Sequence, residues 1–280
     1  MEFRTLEHIP VDILLETINK SFADYIFQVR LTPEKLCLKI VSEQIDLAIS
    51  VGAFADGVLA GFILHGSKVV DNQKNAYNSI TGVLPEFRKQ KLTVRMYEYI
   101  IPVLKEQGYR QIQLEAITSN VPALKSYIEV GFTISRILEC YRGKVKQLQS
   151  ALDENIEITN EWQADNLSWI WDWEPTWQND VLSIENVKEA ITCITYKKDA
   201  QIIGYLFFNN ITKRVQQFAV AREYRNKHIA SRLFNALAHH TGDTDVEIIN
   251  LQSEVSGAKF LNRIGFELFI KQYEMKLSLA

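Results

Sequence analysis

Two short stretches repeat one arrangement of cations: Arg88-Lys89-Gln90-Lys91-Leu92-Thr93 and Arg225-Asn226-Lys227-His228-Ile229-Ala230, 137 positions apart. Each follows a strand-like segment, Tyr77 to Val83 or Val215 to Val220, and each precedes a helix with amphipathic spacing. A chain that turns into a helix leaves its first backbone N–H groups without intrahelical partners, and the helix dipole adds partial positive charge there. Such a mouth holds a pyrophosphate largely by main chain. Arg88, Lys89 and Lys91, or Arg225, Lys227 and His228, supply further charge. One copy alone would fit an ordinary solvated turn. Its recurrence in the same context describes a duplicated anion-binding unit.

A second repeat lies downstream. Asn120-Val121-Pro122-Ala123 leads to Tyr127 and Gly131-Phe132, while Glu254-Val255-Ser256-Gly257 leads to Leu261 and Gly265-Phe266. With these residues in place, both halves resemble the GNAT superfamily of acetyl-CoA-dependent N-acyltransferases. The resemblance spans essentially the whole chain. It implies an α/β fold with a mixed sheet, built as two tandem GNAT domains, and an enzyme that transfers an acetyl group from acetyl-CoA to a primary amine in a ternary complex.

The same resemblance implies the site. Arg88, Lys89, Gln90, Lys91, Leu92 and Thr93 would grip the pyrophosphate of coenzyme A, and the backbone of Thr81, Gly82 and Val83 would pair with the acyl-pantetheine arm. Asn120 would position the cofactor or cap the following helix. Tyr127 would protonate the departing thiolate, a modest demand for a thiol with a pKa of about 8.5. Leu261 stands in its place in the second half and cannot donate a proton. The first half is therefore expected to be catalytic. Glu115, on the strand expected to splay from the motif strand, is the candidate general base, with His65 behind it. Phe22, Asp24, Tyr25 and Phe27 are candidates for the acceptor wall, where Tyr25 would cover an ammonium held by Asp24.

Both turns depart from the family pattern, because Lys91 and His228 stand where it has glycine. If that position needs a positive φ, a side chain there costs about 1 kcal/mol or reshapes the loop. Two rival readings follow: a non-catalytic acyl-CoA-binding or regulatory protein, and an enzyme whose activity resides in the C-terminal half. All five tryptophans fall between Trp162 and Trp177, interleaved with Asp165, Asp172 and Glu174. Such a cluster suits an interface or core, or an aromatic cage.

Strand and helix periodicities occur in the same order twice, separated by a polar stretch with no aromatic residue. The expected domains are 1–144 and 155–280, with a linker at 145–154. Asp56-Gly57 signals a hairpin, and Thr32-Pro33 signals a capped helix start. In the second half, helical segments are expected from about Thr159 to Ala190. A net charge of −3 offers no global attraction for nucleic acid or an anionic membrane. Cys37, Cys140 and Cys193 lack metal-ligand spacing and read as reduced thiols, so the expectation is a cytoplasmic protein, monomer or homodimer, without a metal. Its expected partner is a small-molecule or peptide amine acceptor, with no nucleic acid and no membrane.

Overall fold

A computed structural model describes residues 1–24, 30–146, 152–162 and 167–279. The chain forms two compact units, Met1–Arg136 with Tyr273–Ala280, and Ile137–Gln272. These divisions differ from the sequence boundaries because two long strands, Thr133–Val145 and Glu267–Ser278, each run through a point of division.

In the first unit, β1 (Glu2–Thr5), β2 (Ile45–Ala55), β3 (Val58–Val70) and β4 (Gln73–Val83) are antiparallel neighbours. The β2–β3 hairpin turns at Asp56-Gly57, where both residues have positive φ. β5 (Tyr109–Ile117) pairs parallel to β4 after the crossover helix α3 (Leu92–Glu106). Helices α1 (Val11–Ser21) and α2 (Pro33–Ser42) cover one face. The Thr32 side chain caps α2 by accepting from Lys35 N. Helices α3 and α4 (Val121–Val130) cover the other face over a core that includes Met96, Tyr97, Ile100, Leu114 and Met275.

The second unit repeats this plan. The pairing runs β7 (Ile156–Thr159), β8 (Ile191–Lys198), β9 (Gln201–Asn209), β10 (Arg214–Val220) and β11 (Thr244–Gln252), with the Ile137-to-Val145 part of β6 (Thr133–Val145) beyond β11. Helix α6 (Ile229–Thr241) connects β10 to β11, α7 (Ser256–Arg263) follows, and the chain ends in β12 (Glu267–Ser278). The segment expected to be helical before Ala190 holds only short 3₁₀ turns and the five-residue α5 (Val181–Glu185) among its described residues. Its alternating tryptophans and acids, broken by Pro175, give no sustained helical face.

β4 and β10 carry the same irregularity. The register with the preceding strand skips Ser79 in β4 and Gln216 in β10, again 137 positions apart. A bulge of this kind bends the strand and re-aims the extra side chain. It lies just upstream of the turn in both units.

Candidate active site

Each turn holds two non-glycine residues in the left-handed region: Lys89 and Lys91 at φ 62° and 55°, Asn226 and His228 at φ 60° and 62°. The glycine-like backbone is thus kept despite the side chains, with strain of roughly 1–3 kcal/mol per residue. The conformation turns successive N–H groups toward a common concavity. The N–H groups of Lys89 through Val94, and of Asn226 through Ser231, have no hydrogen-bond partner among the described residues. The two turns thus share one left-handed backbone, a shape that could cradle an anion in each unit.

The surroundings of the cradles differ. In the first unit β4 and β5 stay in parallel register from Lys74 opposite Tyr109 to Asn78 opposite Leu114. Lys91 Nζ then reaches Glu129 Oε1 on α4 at 2.5 Å, a bridge between the cradle and the distal helix. In the second unit β10 and β11 are in register at Arg214 opposite Glu247. Beyond that point they line a cavity of about 390 Å³ with the turn, the start of α6 and one side of α7. The residue of α7 that corresponds to Glu129 is Arg263, which lines this cavity. An anion site is helped by a cation there and opposed by a carboxylate.

Most of the expected residues of the first unit are held by other groups. The Arg88 guanidinium donates to Asp24 Oδ2 at 2.6 Å and Oδ1 at 2.7 Å, to Ser21 O at 3.0 Å and to Val83 O at 3.3 Å. Asp24 is therefore held below its ordinary carboxylate range by Arg88, and it serves as a tie rather than an open ammonium site. Tyr25 and Phe27 lie outside the described residues. Tyr127 is buried in edge contacts with Tyr97 and Phe132, at 6.3 and 5.8 Å between ring centres. Asn120 caps α4, accepting from Ala123 N at 3.3 Å. The backbone of Gly82 is backed by Phe62, whose ring would lie 2.5 Å from an added Cβ.

Glu115 accepts a hydrogen bond from the Tyr77 hydroxyl, while its Oε1 is buried without a partner among the described residues. Burial, opposed by the Tyr77 bond and reinforced by the carboxylates of Glu274 and Glu43, pushes its pKa up to about 8. His65 is fully buried, its Nδ1 bonded to Ile49 O at 3.0 Å, and burial lowers it to about 4. It is a neutral structural imidazole.

The cavity of the second unit brings the second cationic turn together with part of the tryptophan cluster. Trp171, Asp172 and Trp173 form a strap along it. Asp172 accepts from Ser256 Oγ on α7 at 2.9 Å and pairs with Arg225 of the turn at 2.8 Å. Arg225 Nε also donates to Val220 O at 3.0 Å, as Arg88 does to Val83 O. Trp171 Nε1 donates to the Tyr205 hydroxyl at 2.8 Å, which donates to Gln217 Oε1 at 2.8 Å. Of the other tryptophans, Trp162 and Trp177 are buried in the core and Trp169 is exposed. The clustered tryptophans thus divide among core, cavity wall and surface. Among the described residues no group of His, Cys, Asp and Glu could hold a metal ion, and no helix is long and apolar enough to cross a membrane.

A parallel strand pair opening beside a main-chain anion cradle is a receptacle for a phosphorylated carrier. Comparison with known proteins gives the class. The acetyltransferase (GNAT) family matches residues 17–132, and an acetyltransferase (GNAT) domain matches residues 169–276. The chain belongs to the GNAT acetyltransferases and carries two GNAT domains in tandem.

Solved structures share this fold. A GCN5-related N-acetyltransferase from Sphaerobacter thermophilus is 15% identical, with a TM-score of 0.73 over 100% of this chain and 96% of its own. A tandem GNAT protein from the clavulanic acid biosynthesis pathway is 12% identical, with a TM-score of 0.70 over 100% of this chain and 98% of its own. A GCN5-related N-acetyltransferase from Anabaena variabilis is 10% identical, with a TM-score of 0.59 over 100% of this chain and 73% of its own. No curated protein matches the chain in sequence.

Proposed function

We propose that the protein is an acetyl-CoA-dependent N-acetyltransferase that acts on a primary amine by direct attack in a ternary complex, and that the working site is the cavity of the second unit. One observation carries this reading. The open strand cleft, the N–H groups of Asn226 through Ser231, unpaired among the described residues, and the cation Arg263 converge there. The corresponding cradle of the first unit is bridged to Glu129.

The diphosphate of coenzyme A would rest on the turn, and the pantetheine arm would run along Phe218, Ala219 and Val220, the counterparts of the first unit's Thr81, Gly82 and Val83. Leu261 supplies no acid at the thioester. A thiolate whose conjugate acid has a pKa of about 8.5 leaves with solvent as proton source. Neither Tyr127 nor Glu115 takes part in this scheme.

The test is thiol release from acetyl-CoA in the presence of an amine panel, with Lys89→Glu and Lys227→Glu compared. Loss in Lys227→Glu with activity kept in Lys89→Glu supports the second unit. The reverse pattern returns the chemistry to the first, and binding of coenzyme A without turnover on any amine favours a non-catalytic binding protein.

A further inference from the structure

We infer that the acceptor is a small, weakly basic amine with a ring-shaped body, received in its neutral form, and that Gln216 orients it by accepting one of its N–H groups. This rests on the second-unit cavity being the acetyl-transfer site.

Gln216 is the bulged residue of the motif strand and lines the cavity. Its Nε2 donates to Gln178 O at 3.3 Å, which fixes the amide, while Oε1 is buried with no partner among the described residues. The counterpart bulge residue, Ser79, likewise buries a side-chain oxygen with no partner. A buried acceptor without a donor is unfavourable unless a ligand completes it. Thr176, fully buried in the same wall, has an Oγ1 in the same condition. Two vacant acceptor atoms close to the strand that would carry the thioester suit an incoming N–H donor.

The charges of the cavity select which amine enters. The strap contributes Asp172, already engaged by Arg225 and Ser256; β9 contributes Tyr205; the turn contributes Tyr224, Arg225 and His228; α7 contributes Arg263. No uncommitted carboxylate faces the cavity among the described residues, so an ammonium finds neither a counter-ion nor a carboxylate base. Polyamines and lysine side chains are disfavoured on this count. Trp171 and Trp173 line the cavity as aromatic wall against which a ring could stack, with the Trp171 indole held by its bond to Tyr205.

In the reaction the neutral nitrogen's lone pair forms a bond to the thioester carbon, and the carbon–sulfur bond breaks with its electron pair on sulfur. The proton lost by nitrogen passes to solvent and a proton from solvent completes the thiol. Amine and thioester become amide and thiol.

Thiol release at saturating acetyl-CoA tests this with p-anisidine, glucosamine, benzylamine, hexylamine and spermidine, alongside calorimetry with coenzyme A. The expected result is acetylation of p-anisidine and glucosamine. For p-anisidine kcat/KM stays flat above neutrality, while for benzylamine it climbs with the amine's own ionisation. Gln216→Met lowers kcat/KM for p-anisidine about tenfold, one hydrogen bond's worth, with unchanged coenzyme A affinity. Gln216→Glu shifts preference toward benzylamine at neutral pH. Faster turnover of hexylamine or spermidine, wild-type kinetics in Gln216→Met, or no acetylation of p-anisidine and glucosamine by a protein that binds coenzyme A would each overturn the inference. Failure to bind coenzyme A at all sinks the underlying transferase reading instead.

Discussion

Replacing Glu115 by Gln separates a structural carboxyl from a catalytic one. Its pKa of about 8 in the folded protein stands against an ordinary 4.5, because burial outweighs the Tyr77 hydrogen bond that favours the anion. The folded value is the higher one, so the stabilisation from neutral Glu115 is complete below about pH 4.5 and is lost as pH rises through 8. At about 1.4 kcal/mol per pKa unit the ceiling is roughly 5 kcal/mol. The residue as a whole is only half-buried, although its Oε1 is inaccessible, so water relaxes the site and about 2–3 kcal/mol is the working expectation. Glutamine accepts the Tyr77 hydrogen bond and cannot ionise. Thermal melts should therefore coincide at pH 4, while at pH 9 the Glu115→Gln protein should melt about 4–10 °C higher. Turnover should survive, since the reaction is placed in the other unit. Equal melting temperatures at pH 9 would refute the raised pKa, and abolished turnover in a folded variant would make Glu115 the base.

Other outcomes follow from the same contacts. Tyr127→Phe should leave turnover unchanged, and Tyr127→Ala should cost about 3–5 kcal/mol of stability, measured by urea denaturation, because the ring fills the cluster with Tyr97 and Phe132. Asp172→Asn breaks the link between Arg225 and Ser256 and should lower stability by about 1–3 kcal/mol while raising the acceptor KM, which a melt and steady-state kinetics would record. His228→Gly removes left-handed strain but loosens the unfolded chain, so denaturation should show a gain between zero and about 1 kcal/mol.

Much of this architecture was legible in the residues. The repeated turn located both left-handed loops that lead into α3 and α6, and even the bulges keep its spacing at Ser79 and Gln216. Asp56-Gly57 and Thr32-Pro33 acted as their local chemistry requires. The open cleft was harder to assign, because the first unit's bridge joins residues 38 positions apart, Lys91 and Glu129, which helix periodicity does not pair. One signal was available: aligning the Gly-Phe pairs sets Glu129 against Arg263, a charge reversal at the place an anion would feel. The tryptophan cluster was visible in the sequence, but which of its members line the cavity was not. A tryptophan's place in core or cavity wall depends on which strands lie beneath it, and local sequence does not specify that.

The central claim is that one cradle, that of the second unit, clasps the diphosphate of acetyl-CoA. Calorimetric titration of coenzyme A into the wild type, Arg263→Glu and Glu129→Arg tests it most directly. The account predicts a single site per chain in the wild type, lost or severely weakened in Arg263→Glu and intact in Glu129→Arg. Two sites per wild-type chain, or full affinity in folded Arg263→Glu protein, would contradict it.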